Sequence, residues 1–137
     1  MVALFVLLFV ASTAIAQGPV GLWKTIDDET NQAKSHVEIY EVNGKLHGKV
    51  VKLLKDASTS VCENCTGDKK NQPIEGMEIL TGLTTYKDYW SYGKILDPAN
   101  GKTYKCSAWM EGDDQLKLRG YIGISALGRN QVWHRVK

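Results

Sequence analysis

Apolar residues recur at every second position through much of the chain, and the alternation breaks where turn-forming residues cluster. From Trp90 to Ile124 it predicts three successive antiparallel strands. Asp97-Pro98-Ala99-Asn100-Gly101 reverses the chain once, because Pro presets φ for a turn and Asn-Gly tolerates positive φ. Gly112-Asp113-Asp114 reverses it again. With Met110 opposite Leu116, one side collects Ala108 with Leu118, Cys106 with Gly120 and Tyr104 with Ile122. A slip of one residue would turn every one of these side chains to the other face. The opposite side carries Lys105, Ser107 and Trp109 beside Lys117, Arg119 and Tyr121.

Upstream, Gly21 to Ile26 reads as a short strand ending in the polar turn Asp27 to Gln32. Ser35 to Val42 and Lys45 to Leu54 flank Asn43-Gly44, a strong short hairpin signal. Pairing Val42 with Lys45 sets Tyr40 against His47 and Glu38 against Lys49 on one face. The other face then pairs Ile39 with Gly48 and Val37 with Val50, so opposite charges and matched apolar groups both land correctly. From Lys55 to Tyr89 the alternation stops. This long connection carries Cys62-Glu63-Asn64-Cys65, and its apolar Ile74, Met77, Ile79, Leu80 and Leu83 predict that the second half packs on the sheet, as a strand or a helical turn. Asn130 to Val136 supplies a last strand. The total is about seven to eight strands with no internal repeat. An all-β, up-and-down antiparallel barrel follows, because closing the sheet removes its edges.

Composition narrows this picture modestly. The 137 residues, 43% of them hydrophobic, suit one compact domain. A formal net charge of +2, with both signs interspersed, gives no support for nucleic-acid binding. Residues 1–16 hold an apolar run ending in Ala14-Ile15-Ala16, the small-x-small form of a signal-peptide cleavage site, so cleavage is expected before Gln17. A membrane anchor is the alternative, but the run falls short of the roughly 18 apolar residues a span requires. Residues 17–137 are then the mature domain, exported to a periplasmic or extracellular, oxidising setting and without a membrane span.

The ordered set Gly21-Leu22-Trp23, Gly76-Met77, Gly93-Lys94-Ile95, Asp97-Pro98, Gly101-Lys102-Thr103-Tyr104, Leu116 to Gly123, Gly128-Arg129 and Gln131-Val132-Trp133 resembles the bacterial DUF2147 family of exported proteins. The resemblance covers essentially the whole mature chain. It implies a lipocalin-like or similar small barrel and an unassigned function. Family members often carry a Cys pair in the region matched by Tyr121 and Gly128; this chain has Cys62 and Cys65 in its long connection instead. Gly-x-Trp on the first strand also looks like the lipocalin signature, in which an Arg near the last strand covers the indole and closes one barrel end. Arg135 or Arg129 is the counterpart.

Cys62 and Cys65 have the spacing of a redox motif or half a zinc site, but no second Cys pair completes a metal site. A disulfide stiffening the loop is the expected state. Cys106 reads as a buried free thiol, with pairing to a loop cysteine as the alternative. His36, His47 and His134 read as surface residues. No carboxylate pair, nucleophile elbow or phosphate-cradling glycine loop supports catalysis, and no cofactor or metal is implied. One constellation remains: Lys105, Trp109, Arg119 and Tyr121, to which the last strand can add Trp133 and Arg135. If that face lines the interior, it makes an aromatic, cationic pocket for a small amphiphilic or anionic ligand; if it meets water, the apolar face fills the inside. The expected function is noncatalytic small-ligand binding in the bacterial envelope. The alternatives are a structural or partner-binding envelope protein with a filled core, and an enzyme with its site in the long loop.

Overall fold

The structure, a computed structural model, describes residues 3, 5–8, 18–124 and 128–137. The signal-peptide cleavage point expected before Gln17 lies outside the described residues. Eight strands close into one antiparallel up-and-down barrel, each paired with its neighbours in sequence and the last with the first. They are β1 (Gly21–Ile26), β2 (Ala33–Val42), β3 (Lys45–Leu53), β4 (Glu78–Tyr86), β5 (Tyr89–Leu96), β6 (Thr103–Glu111), β7 (Gln115–Tyr121) and β8 (Arg129–Arg135). A 3-10 turn, Gly67–Lys69, lies in the β3–β4 connection. No helix among the described residues is long and apolar enough to cross a membrane.

The two registers read from alternation are the ones observed. Val37 pairs with Val50, Ile39 with Gly48 and Tyr40 with His47. Cys106 pairs with Gly120, Ala108 with Leu118 and Met110 with Leu116. The β6–β7 ladder ends at Lys105↔Tyr121, so Ile122 does not face Tyr104 as expected and is 65% exposed. The long connection is shorter than alternation suggested. Its second half forms β4, and Lys87-Asp88 turns the chain tightly into β5, with Lys87 at φ 53°.

The first half of the connection is pinned to the wall. Cys62 and Cys65 form the expected disulfide, both sulfurs buried. Asn64 donates its side-chain N–H to the Ala99 carbonyl at 3.0 Å in the β5–β6 turn. Gly101 meets the same segment so closely that a Cβ there would sit 1.9 Å from the Asn64 carbonyl oxygen. Only glycine fits, and its φ of 73° is one that other residues rarely adopt.

Candidate functional site

One end of the barrel is solid. Trp23, Val37, Ile39, Leu80, Leu83, Leu116, Cys106 and Ala108 are each exposed by 1% or less. The plug beneath them is built around Trp23. The Arg135 guanidinium lies 4.4 Å from the centre of its ring, a contact worth about 0.5–2 kcal/mol. The same guanidinium donates to the backbone carbonyls of Gly18 at 2.7 Å, Val20 at 3.2 Å and Asp113 at 2.7 Å. The Trp23 indole N–H donates to the Pro19 carbonyl at 2.8 Å. Gly21 completes the motif for a steric reason: a Cβ there would lie 2.8 Å from the Arg135 guanidinium. Arg135, and not Arg129, is therefore the counterpart of the first-strand tryptophan.

The other end is hollow. A cavity of about 410 Å³ opens among the β1–β2, β3–β4 and β5–β6 connections and the start of β8. Its apolar wall includes Val50, Leu53, Ile74, Ile79, Ile95, Leu118 and Trp133. A polar strip runs along the β1, β2 and β8 side. Thr25 and Ser35, both more than nine-tenths buried, share a hydroxyl–hydroxyl bond of 2.8 Å. Gln131 accepts the Trp133 indole N–H at 3.0 Å on its side-chain oxygen, which leaves its amide hydrogens directed to other acceptors.

Charge is confined to the rim. Four carboxylates (Asp27, Asp28, Glu29 and Asp97) and two cations (Lys34 and Arg129) line it, so the mouth carries two negative charges in excess. Arg129 binds Asp28 through two bonds of 3.0 and 2.7 Å and Glu29 at 3.0 Å. The hydrogen bond to Asp28 raises its pKa further. Lys34 donates to the Asp56 carbonyl at 2.6 Å. The Thr30 amide, with help from that of Glu29, holds the Asp27 carboxyl below its ordinary value against the opposing effect of burial, so it stays ionised.

The closed eight-stranded barrel has counterparts among known proteins. The family model described as "Uncharacterized protein conserved in bacteria (DUF2147)" matches residues 21–135. The chain belongs to the DUF2147 family. Its barrel is also similar to a solved structure described as "Protein HP1028 from the human pathogen Helicobacter pylori belongs to the lipocalin family", with a TM-score of 0.77 and 20% identity over 88% of this chain and 84% of that one. No curated protein matches the chain.

Within this DUF2147 barrel the residues singled out from sequence are dispersed. Lys105, Trp109, Arg119 and Tyr121 lie on the outer face, paired in the order Lys105↔Tyr121, Ser107↔Arg119 and Trp109↔Lys117. There Arg119 donates to Asn130 at 2.7 Å. Trp133 lies opposite Leu116, hence inward, and lines the cavity. Arg135 shares its parity and belongs to the plug. The aromatic, cationic pocket on one face is therefore not assembled, because β8 has the opposite phase from the one that would have joined it. The β7–β8 connection carries no short turn motif that fixes register, so phase was not readable there.

The outer face has its own aromatic group. Tyr86 meets Tyr89 and Tyr92 edge to face at 5.4 and 5.7 Å. The histidines stay outside the cavity; His47 stacks on Tyr40 and lies 3.2 Å from the Glu78 carboxylate. Cys106 is a free, buried thiol, and burial pushes its pKa up to about 12. Sequence reasoning missed Thr25, Ser35 and Gln131. A signal was present in the first two, since both are polar residues at the inward phase set by Trp23 and Val37.

Proposed function

We propose that this protein is an exported, noncatalytic binder of a small amphiphilic ligand in the bacterial envelope. The hollow upper half of the barrel carries the reading. Pockets for small ligands are typically about 300–1,000 Å³, mostly apolar, with a few placed polar groups, and this cavity matches on each count. Export rests on the apolar leader sequence, and the Cys62–Cys65 disulfide suits an oxidising compartment. Native mass spectrometry of protein purified from its own cells tests the binding, since retained cargo adds mass to the intact chain. The expected result is a bound species that Leu118→Phe eliminates. A mass equal to the mature chain alone, with no binding of the environment-sensitive dye N-phenyl-1-naphthylamine, would refute it.

A second reading, docking of an envelope protein, is favoured by the outer Tyr86, Tyr89 and Tyr92 group. Its test is crosslinking in whole cells from a photoreactive residue at Tyr92, compared with one at Lys24 on β1, four strands round the barrel. Products specific to position 92 support it, and identical patterns reject it.

A further inference from the structure

We infer that the cavity selects an uncharged amphiphile, an alkyl chain ending in a hydroxyl or carbonyl group, and rejects the corresponding carboxylate. This deepens the ligand-binding reading above and rests on it. Size sets the chain. At roughly 30 Å³ per atom-sized group, the volume a water molecule takes in the liquid, 410 Å³ holds about a dozen heavy atoms.

The wall chemistry sets the head. Below the rim the inward strand positions carry the Thr25 and Ser35 hydroxyls and the Gln131 amide on one side and, on β6, the Tyr104 hydroxyl, which accepts from Asn100 at 2.9 Å; all of them are neutral. They can both donate to and accept from a hydroxyl, and donate to a carbonyl. A carboxylate placed there would be an anion without a cation, and burial of an unpaired charge is strongly unfavourable.

The rim offers it no remedy. Arg129 is already held by Asp28 and Glu29, the Lys34 ammonium donates to the Gln32 side chain and the Asp56 carbonyl with its charge acting on Asp27, and the excess of carboxylates repels an incoming anion. An ammonium head meets a different obstacle. The acidic rim attracts it, but the rim carboxylates lie above the neutral strip, and an ammonium buried beside that strip is an unpaired cation, as unfavourable as an unpaired anion. The acidic rim therefore repels anions and retains cations at the mouth, and the neutral groups make the contacts below it.

The test is displacement of N-phenyl-1-naphthylamine at pH 7.5 by three ligands of equal chain length: decan-1-ol, decanoate and decylammonium. Decanol is expected to bind at least about tenfold more tightly than decanoate and more tightly than decylammonium. Decanoate binding as well as decanol, or decylammonium binding better, would overturn the inference while leaving the cavity reading intact. Failure of the dye itself to bind would remove the cavity reading, and this inference with it.

Two variants locate the effect. Thr25→Val/Ser35→Ala removes both partners of one hydrogen bond together, so neither is left unpaired. It is expected to weaken decanol at least fivefold and leave the dye unchanged; an unchanged decanol affinity would overturn the role of the strip. Asp28→Asn/Glu29→Gln, confined to the exposed rim, frees Arg129. Decanoate affinity is expected to rise several-fold with decanol unaltered, and no rise would overturn the role given to the ion pairs.

Discussion

At one end of the barrel the inward positions hold Trp23, Leu46, Leu83, Ala108 and Leu116; at the other they hold Thr25, Ser35, Ile95, Gly120 and Gln131. The same two-residue alternation produces both. At the plugged end large apolar groups meet small ones, as where Gly93 leaves room for Leu83: a Cβ at Gly93 would lie 2.7 Å from that leucine. At the mouth, small and polar residues face each other and the space stays open. Alternation thus decides which residues point inward. Their sizes decide whether the interior is core or container.

The largest expected effect is at the plug. Trp23→Ala should lose about 3–5 kcal/mol, the usual cost of truncating a buried tryptophan, measured by urea denaturation; a loss below about 1 kcal/mol would mean the indole does not organise that end. The two arginines give the next contrast. Arg135→Ala removes charged hydrogen bonds to three backbone carbonyls and should lose about 2–3 kcal/mol. Arg129→Ala removes an exposed ion pair and should lose less than about 1 kcal/mol. Equal losses would erase the distinction between a structural arginine and a rim arginine.

Enlarging side chains probes the same difference in reverse. Ala108→Leu, in the solid half, should destabilise by about 1–3 kcal/mol through overpacking. Leu118→Phe, in the hollow half, should change stability by less than about 1 kcal/mol while abolishing dye binding. Should both variants destabilise alike, the cavity would not be a stable feature.

The smallest effect is a dependence on pH. The Cys106 thiol has a pKa of about 12 in the fold against an ordinary value of 9, so above pH 9 the unfolded chain releases a proton that the folded chain keeps. Stability from this group is present below pH 9 and falls as pH rises toward 12. Between pH 8 and 10 the loss should reach about 1 kcal/mol. Cys106→Ala should flatten the stability profile by that amount relative to the parent, and identical alkaline slopes would show that the thiol is solvated.

Much of this fold was legible before the structure. Asn43-Gly44 and Gly112-Asp113-Asp114 each marked a hairpin whose register could be read, because turn position and face matching agree there. The β4–β5 hairpin was not legible: Lys87-Asp88 contains neither glycine nor asparagine, and Gly82, with φ at 69°, interrupts the alternation inside β4. The plug was legible through Gly-x-Trp, although two arginines competed for the second role. The cavity was not, since its mouth is assembled from loops far apart in sequence and its polar strip joins Thr25, Ser35 and Gln131 across three strands. No local pattern encodes that convergence.

The strands around the circumference are not joined equally. β1 and β8 pair at Trp23↔Arg135 and Lys24↔His134, next to the plug, whereas β7 and β8 continue in register from Gln115↔His134 to Gly120↔Arg129. Toward the mouth the first and last strands are spanned by side chains, chiefly the clasp of Arg129 on Asp28. A cuff that must widen does so at its fastening. Here the fastening lies beside Gln131, while the opposite wall is braced by the disulfide-bearing segment seated on Gly101, so widening at β1 and β8 breaks the fewest backbone hydrogen bonds.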